Sequence, residues 1–182
     1  MGKERRISWR TPEETAMTDI RFSAMPTADA EQLWNGGTDS YGFLPETMVS
    51  DGPGHPCRHC LGNIDAGEEL LVFAYRPFPE MQPYAETGPI FLHKRRCERY
   101  QAEEIVPPVL SSTDYIVRGY SENNRIVYGT GAVTPTRDIP AYAGGLLQRP
   151  GIAYVHVRSA RNNCFQCRIE KAPDSREAGA FI

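Results

Sequence analysis

The sequence predicts a single α+β domain with a mainly antiparallel sheet and a few short helices. Its 182 residues suit one domain. Segments that predict strands occur in pairs joined by short turns, instead of alternating with long helices, which favours antiparallel pairing. With 40% hydrophobic and 24% charged residues, the composition is that of an ordinary globular protein with its own core.

The predicted domain covers residues 20–172. Residues 1–19 are polar and lack periodicity, so we expect a flexible N-terminal arm, and residues 173–182 predict a mobile tail. No apolar run approaches the roughly 18 residues of a membrane span. The N-terminal segment has no apolar core of a secretory signal, so the expected compartment is the cytoplasm.

Charge and cysteine content narrow the class of function. A net charge of −3 and a sequence pI of about 5.8 argue against general nucleic-acid binding, which favours a basic surface. In the cytoplasm, the five cysteines are expected to be thiols or metal ligands more often than disulfides.

The first half of the chain contains three predicted elements. Residues 20–25, IRFSAM, alternate between apolar and polar side chains as a half-buried strand does. Thr27 is the predicted N-cap of a short helix that extends through Trp34. The continuous apolar run ELLVFAYR, at 69–76, predicts a buried strand.

The second half of the chain predicts two helices and several strands. Residues 94–104, KRRCERYQAEE, have helical propensity and are followed by prolines that would end a helix. The remaining predicted elements are a short strand at 90–93, a hairpin of 114–120 with 125–133, a helix within 137–151, and a last pair of strands at 152–159 and 163–171.

Two cysteines and a histidine in PCRHC predict half of a zinc site. Cys57 and Cys60 form a CxxC turn, the unit from which structural zinc sites are commonly built. His93 and Cys97 are the preferred second pair because residues i and i+4 of the predicted helix lie on one face. The predicted zinc ligands are therefore Cys57, Cys60, His93 and Cys97.

A second CxxC, at Cys164 and Cys167, is an alternative partner for the first. The surrounding segment predicts a strand, in which these two side chains would point to opposite faces. Cys167 would then be a core residue, and only a turn or bulge would allow a four-cysteine site. Reduced cysteines without metal and a redox role for the first CxxC also stay open. His59 is expected to face solvent, although it is an alternative ligand.

A polar face on the predicted strand 152–159 suggests a ligand pocket. Tyr154, His156 and Arg158 would share one face, and Arg161 follows shortly after. Guanidinium groups suit carboxylate or phosphate, and an imidazole can act as a general acid or base. The alternative is an ordinary solvent-exposed strand face, which antiparallel sheets commonly have.

The loop at 83–88 could contribute to the same pocket. It contains Tyr84, Glu86 and Thr87, all able to form hydrogen bonds with a ligand. Loops as long as the one that includes this segment are often functional. The alternative is a structural turn in which Glu86 pairs with an arginine.

Four long segments together resemble the bacterial family called domain of unknown function 1203. The resemblance extends from about Ile20 to Ala172 and implies one compact domain of a bacterial cytoplasmic protein, without any assigned catalytic residue. The segments are PCRHCLGNIDAGEELLVFAYRPF, PYAETGPIFLH, RIVYGTG and AYVHVRSARNNCFQCRIE.

The leading functional hypothesis is a zinc-stabilised domain that binds a small anionic ligand. Arg158 and Arg161 would hold the anion, with His156 and Tyr154 orienting it. One alternative is an enzyme that uses His156 as acid or base and Arg158 as an electrostatic stabiliser. The other is a protein-interaction module in which the basic segment HKRRCERY, at 93–100, meets a partner.

Overall fold

Two antiparallel sheets form the framework of the domain. The computed structural model describes residues 20–103 and 105–173, so the predicted arm 1–19 and nearly all of the predicted tail 173–182 lie outside the described residues. The strands are β1 (Ile20–Ser23), β2 (Glu46–Val49), β3 (Glu69–Tyr75), β4 (Gly88–His93), β5 (Asp114–Tyr120), β6 (Ala132–Pro135), β7 (Tyr154–Ser159) and β8 (Phe165–Lys171). The helices are α1 (Thr27–Trp34) and α2 (Ile139–Leu147), the latter preceded by a 3-10 turn at Thr136–Asp138.

The larger sheet has the strand order β1-β8-β7-β5-β6, and the smaller has the order β2-β3-β4. Every pairing between two of these strands is antiparallel, including the hairpin of β7 with β8, as the sequence predicted. No helix among the described residues is long and apolar enough to cross a membrane. The fold class predicted from the sequence, a single α+β domain, is confirmed.

Helix α2 covers one face of the larger sheet. Ala143 and Leu147 of the helix belong to the same buried cluster as Val117, Val157 and Ile169 of the central strands. A second cluster joins the smaller sheet to α1 and includes Leu70 and Leu92. The two sheets therefore have separate apolar layers, and residues that lie between these layers connect the sheets.

Two local predictions are wrong, and a third is right only in part. Residues 94–103 form no helix, and the chain follows an irregular path there. The predicted hairpin forms through the pairing of β5 with β6, but most of the predicted strand 125–133 is irregular, with one bridge between Tyr120 and Ile126 before β6 begins at Ala132. Thr27 is the first residue of α1 instead of its N-cap, because Pro26 precedes the helix and no side-chain cap is formed. Sequence propensity was overridden in each case by contacts made elsewhere in the fold.

Candidate metal centre and the buried polar face

The CxxC segment forms a tight turn beside the smaller sheet. The amide of Cys57 donates to the carbonyl of Gly62 over 2.8 Å, and Leu61 adopts a positive φ of 53° to close the turn. Cys57 also forms a parallel bridge with Phe91 of β4. This bridge brings both CxxC sulfurs to the end of β4, where His93 lies.

The irregular segment after β4 brings the fourth side chain to the turn. Its start is held by the amide of Lys94, which donates to the carbonyl of Glu69, and its end by the amide of Tyr100, which donates to the carbonyl of His59. Cys97 lies between these two anchors. The i, i+4 helix that motivated the pairing of His93 with Cys97 is absent, yet both side chains reach the CxxC turn.

Cys57, Cys60, His93 and Cys97 form a group whose ligand atoms all lie within 4.8 Å of one another. The Sγ atoms of Cys57 and Cys97 are 3.8 Å apart, and Cys60 Sγ is 3.7 Å from His93 Nδ1. Tetrahedral zinc, with Zn–S near 2.3 Å and Zn–N near 2.0–2.1 Å, requires separations of about 3.8 Å and about 3.6 Å. The group could therefore hold a metal ion with little rearrangement.

The protonation of the four groups shows how strongly they interact. Hydrogen bonds from Cys60 and Cys97 hold the pKa of Cys57 far below its ordinary value, whereas the interaction with Cys57 raises that of Cys97. Hydrogen bonds with Cys57 and Cys60 raise the pKa of His93 to about 10. The four groups therefore share protons strongly, and a bound metal ion would have to displace the protons of Cys97 and His93.

Two neighbouring residues hold His93 in place. Glu68 Oε2 lies 3.5 Å from His93 Nε2, on the side of the ring away from the sulfurs. A carboxylate behind a ligating imidazole fixes the tautomer that leaves the other nitrogen free for the metal. The indole N–H of Trp34 donates to the carbonyl of His93 over 2.8 Å, which joins α1 to the same residue.

His59 is a buried neighbour of the cluster and not a solvent-facing residue as expected. It is 1% exposed, with Nδ1 3.4 Å from Cys97 Sγ and Nε2 3.0 Å from Thr27 Oγ1. Both contacts are satisfied when the Thr27 hydroxyl donates to Nε2 and Nδ1–H donates to the sulfur. Burial lowers the pKa of His59, which favours this neutral form. His59 therefore supports Cys97 from outside the ligand set.

Cys164 and Cys167 are not members of this group. Cys167 is fully buried on β8 within the apolar cluster under α2, where burial raises its pKa to about 12. Cys164 precedes the strand, and its Sγ donates to the carbonyl of Asn162 over 3.6 Å. The prediction that Cys167 is a core residue agrees with its position.

Arg58, between the two cysteines of the turn, joins the metal segment to the larger sheet. It is 2% exposed, and its Nε donates to the carbonyl of Phe165 on β8 over 2.5 Å. A second donation goes to the carbonyl of Pro56. The sequence carried no signal for this role, because a charged residue within a loop is usually solvent-exposed.

The polar face of β7 is buried and not solvent-exposed. Tyr154, His156 and Arg158 are 1%, 0% and 3% exposed. Four aromatic rings surround the imidazole of His156, with centroid separations of 4.6–5.2 Å. Those rings belong to Phe78, Tyr120, Tyr154 and Phe165.

The predicted ligand-binding residues divide into two places. Arg158 Nη1 lies 3.6 Å from Glu86, which also accepts hydrogen bonds from Arg118, Tyr120 and Asn163. The interpretation of Glu86 as the partner of an arginine therefore agrees with its contacts. Arg161 is exposed on the turn after β7, and Tyr84 forms a hydrogen bond with Tyr128 over 3.2 Å.

Fold and site together define a single α+β domain with a Cys3His group able to hold a metal ion. The chain belongs to the family described as protein of unknown function (DUF1203), whose profile matches residues 54–171. The match includes all four residues of the group but begins after β2, so it is narrower than the resemblance from Ile20 to Ala172. Neither a curated protein nor a solved structure gave a significant match.

Proposed function

We propose that this chain is a zinc-stabilised domain that binds a small anionic ligand. The observation that supports the zinc site is the spacing of the ligand atoms, 3.8 Å for sulfur to sulfur and 3.7 Å for sulfur to nitrogen. Three thiolates and one imidazole are a common ligand set of structural zinc, and they favour zinc over calcium or magnesium, which prefer oxygen.

The geometry favours a structural ion over a catalytic one. Four protein ligands complete a tetrahedral shell, whereas catalytic zinc keeps one position for water or substrate. The segments that supply the ligands contact both sheets, through the bridge of Cys57 with Phe91 and the bond from Arg58 to Phe165. Zinc would therefore stabilise the junction on which any ligand site between the sheets depends.

The two alternative functions have less support. As an acid or base, His156 would need a pKa near neutral pH, but burial and neighbouring arginines hold it well below 6.5. The basic segment 93–100 is largely neutralised within the domain, which reduces its value as a partner surface. Its ion pairs are Lys94 with Glu69, Arg95 with Glu68, Arg96 with Glu31 and Arg99 with Glu103.

Metal analysis of tag-free protein tests the zinc site. We expect about one zinc per chain in the wild type and in Cys164→Ser, and loss of zinc in Cys97→Ser. Cys164→Ser is the matched control because it removes a thiol outside the group. A folded wild type without bound metal would refute the site, and loss of zinc in Cys164→Ser alone would refute this ligand set.

A further inference from the structure

A cleft of about 800 Å³ lies between the two sheets, with α1 along one side. This volume is within the range of small-molecule sites. The buried rings of Phe73, Phe78 and Phe165 contribute apolar walls, and Tyr75 adds a fourth aromatic ring. The cleft is thus suited to a flat apolar body about the size of an aromatic ring.

Unpartnered nitrogen atoms concentrate at this cleft. Among the described residues, five buried side-chain nitrogens have no hydrogen-bond partner, and four of the five belong to side chains that line it. They are Arg21 Nε, Arg168 Nε and both ring nitrogens of His156. A buried donor without a partner destabilises the domain, so a ligand that accepts hydrogen bonds from these side chains would be favoured.

The strand register places these groups side by side. His156 on β7 is opposite Arg168 on β8, which is opposite Ser23 on β1, two residues beyond Arg21. Cross-strand neighbours on one face are close enough for one small ligand to contact several of them. Each arginine Nε and the single N–H of a neutral imidazole are donors, so the row presents donors for oxygen acceptors.

Four arginines and four carboxylates line the cleft, so the lining carries no excess positive charge and favours a ligand with one negative charge over one with two. Glu170 already lies 2.7 Å from Arg168 and 3.1 Å from Arg21. Glu103 and Asp29 also line the cleft, and Asp29 accepts a hydrogen bond from Tyr75 over 3.0 Å. A doubly charged phosphate would meet these carboxylates at close range, whereas a monoanion uses the remaining donors with less repulsion.

We infer that this cleft binds a small aromatic monocarboxylate, with its ring between the phenylalanines and its carboxylate toward His156 and Arg168. The inference rests on the proposed function and places the anion site away from Arg158, because Arg158 does not line the cleft and its Nη1 faces Glu86 at 3.6 Å. The aromatic walls account for the ring, and the row of donors accounts for the carboxylate.

Three matched probes test the assignment by ligand-observed fluorine NMR with zinc-loaded, full-length protein. The probes are 4-fluorobenzoate, 4-fluorobenzamide and 4-fluorobenzylamine, which share a ring and differ in charge. We expect saturable binding of the benzoate at millimolar concentration or below, and at least tenfold weaker binding of the amide and the amine. Equal binding of all three, or no saturable binding of the benzoate, would overturn the proposal.

Two variants locate the bound carboxylate. Arg168→Lys keeps the charge and removes the Nε donor, and His156→Phe keeps an aromatic ring without a donor. Each is expected to weaken benzoate binding about tenfold. Arg137→Lys is the control, because Arg137 is 86% exposed and lies outside the cleft lining. Unchanged affinity in both cleft variants would overturn the placement.

Arg168 is about one-third exposed, so its variant is expected to fold even if His156→Phe does not. Zinc is measured on the same samples. A zinc-loaded wild type that does not bind benzoate refutes the ligand class alone. A folded, zinc-free wild type that binds it refutes the metal site alone.

Discussion

His156 is expected to make the domain sensitive to acid, and His156→Phe is expected to remove that sensitivity. The imidazole is fully buried among four aromatic rings, and on the neighbouring strands it is opposite Arg118 and Arg168. Burial, followed by the charges of nearby arginines, holds its pKa well below the ordinary value of about 6.5.

The sign of the effect follows from proton uptake. Below pH 6.5 the unfolded chain binds a proton at this histidine, whereas the folded chain keeps it neutral, so protonation stabilises the unfolded state. Each pH unit below 6.5 costs up to about 1.4 kcal/mol, which gives at most about 2.7 kcal/mol at pH 4.5. This upper limit depends only on the pKa of the unfolded histidine.

Urea denaturation of the wild type and His156→Phe at pH 7.5, 6.5, 5.5 and 4.5 measures the effect. We expect the free energy of unfolding of the variant, relative to the wild type, to rise by up to about 2.7 kcal/mol between pH 7.5 and pH 4.5. Any packing cost of the larger ring is present at every pH and cancels in this difference. Contributions common to both proteins, including metal release in acid, cancel as well.

Phe78→Leu is the matched control. Phe78 contacts the imidazole, with ring centroids 5.2 Å apart, but does not titrate. We expect this variant to lose about 1 kcal/mol at every pH and to keep the pH dependence of the wild type. Parallel pH profiles for wild type and His156→Phe would refute the argument, because they would mean that the folded histidine accepts protons freely.

Two further predictions concern residues around the metal group. His59→Phe keeps an aromatic ring against Trp34 but removes the hydrogen-bond donor to Cys97. We therefore expect zinc to bind at least tenfold more weakly when a chelator competes for it. Unchanged zinc affinity would contradict the supporting role of His59. Arg58→Met leaves the carbonyls of Pro56 and Phe165 without the guanidinium that donates to them. We expect the free energy of unfolding, measured by urea denaturation, to fall by about 3 kcal/mol, and to change little in the control Arg137→Met, whose side chain is exposed. Equal stability of the two variants would show that Arg58 is dispensable.

The four predicted metal ligands lie together in the structure, although the element from which two of them were derived is absent. The sequence pointed to His93 and Cys97 through a helix at 94–104, but residues 94–103 are not helical. The four side chains still meet because backbone hydrogen bonds from Lys94 and Tyr100 hold the segment beside the CxxC turn. Both partners of those bonds, Glu69 and His59, are distant in sequence, so local propensity carries no information about them.

Glu68 could have been found from strand pairing. Leu70 on β3 is opposite His93 on β4, and residues two apart on a strand share a face. That register places Glu68 near His93 once the pairing of β3 with β4 is known. For Arg58 and His59 no comparable signal exists, because both follow from packing between the turn and distant segments.

By itself, the sequence determined the local alternation of the strands, the antiparallel fold class and the CxxC turn. These depend on side chains within a few residues of one another, so pattern and spacing are sufficient. Only the tertiary structure decided that the polar face of β7 is buried, that Glu86 lies between Arg118 and Arg158, and that side chains with unpartnered nitrogens line a cleft. The physical reason is that burial and charge pairing depend on the second sheet and its loops, which approach β7 from distant parts of the chain.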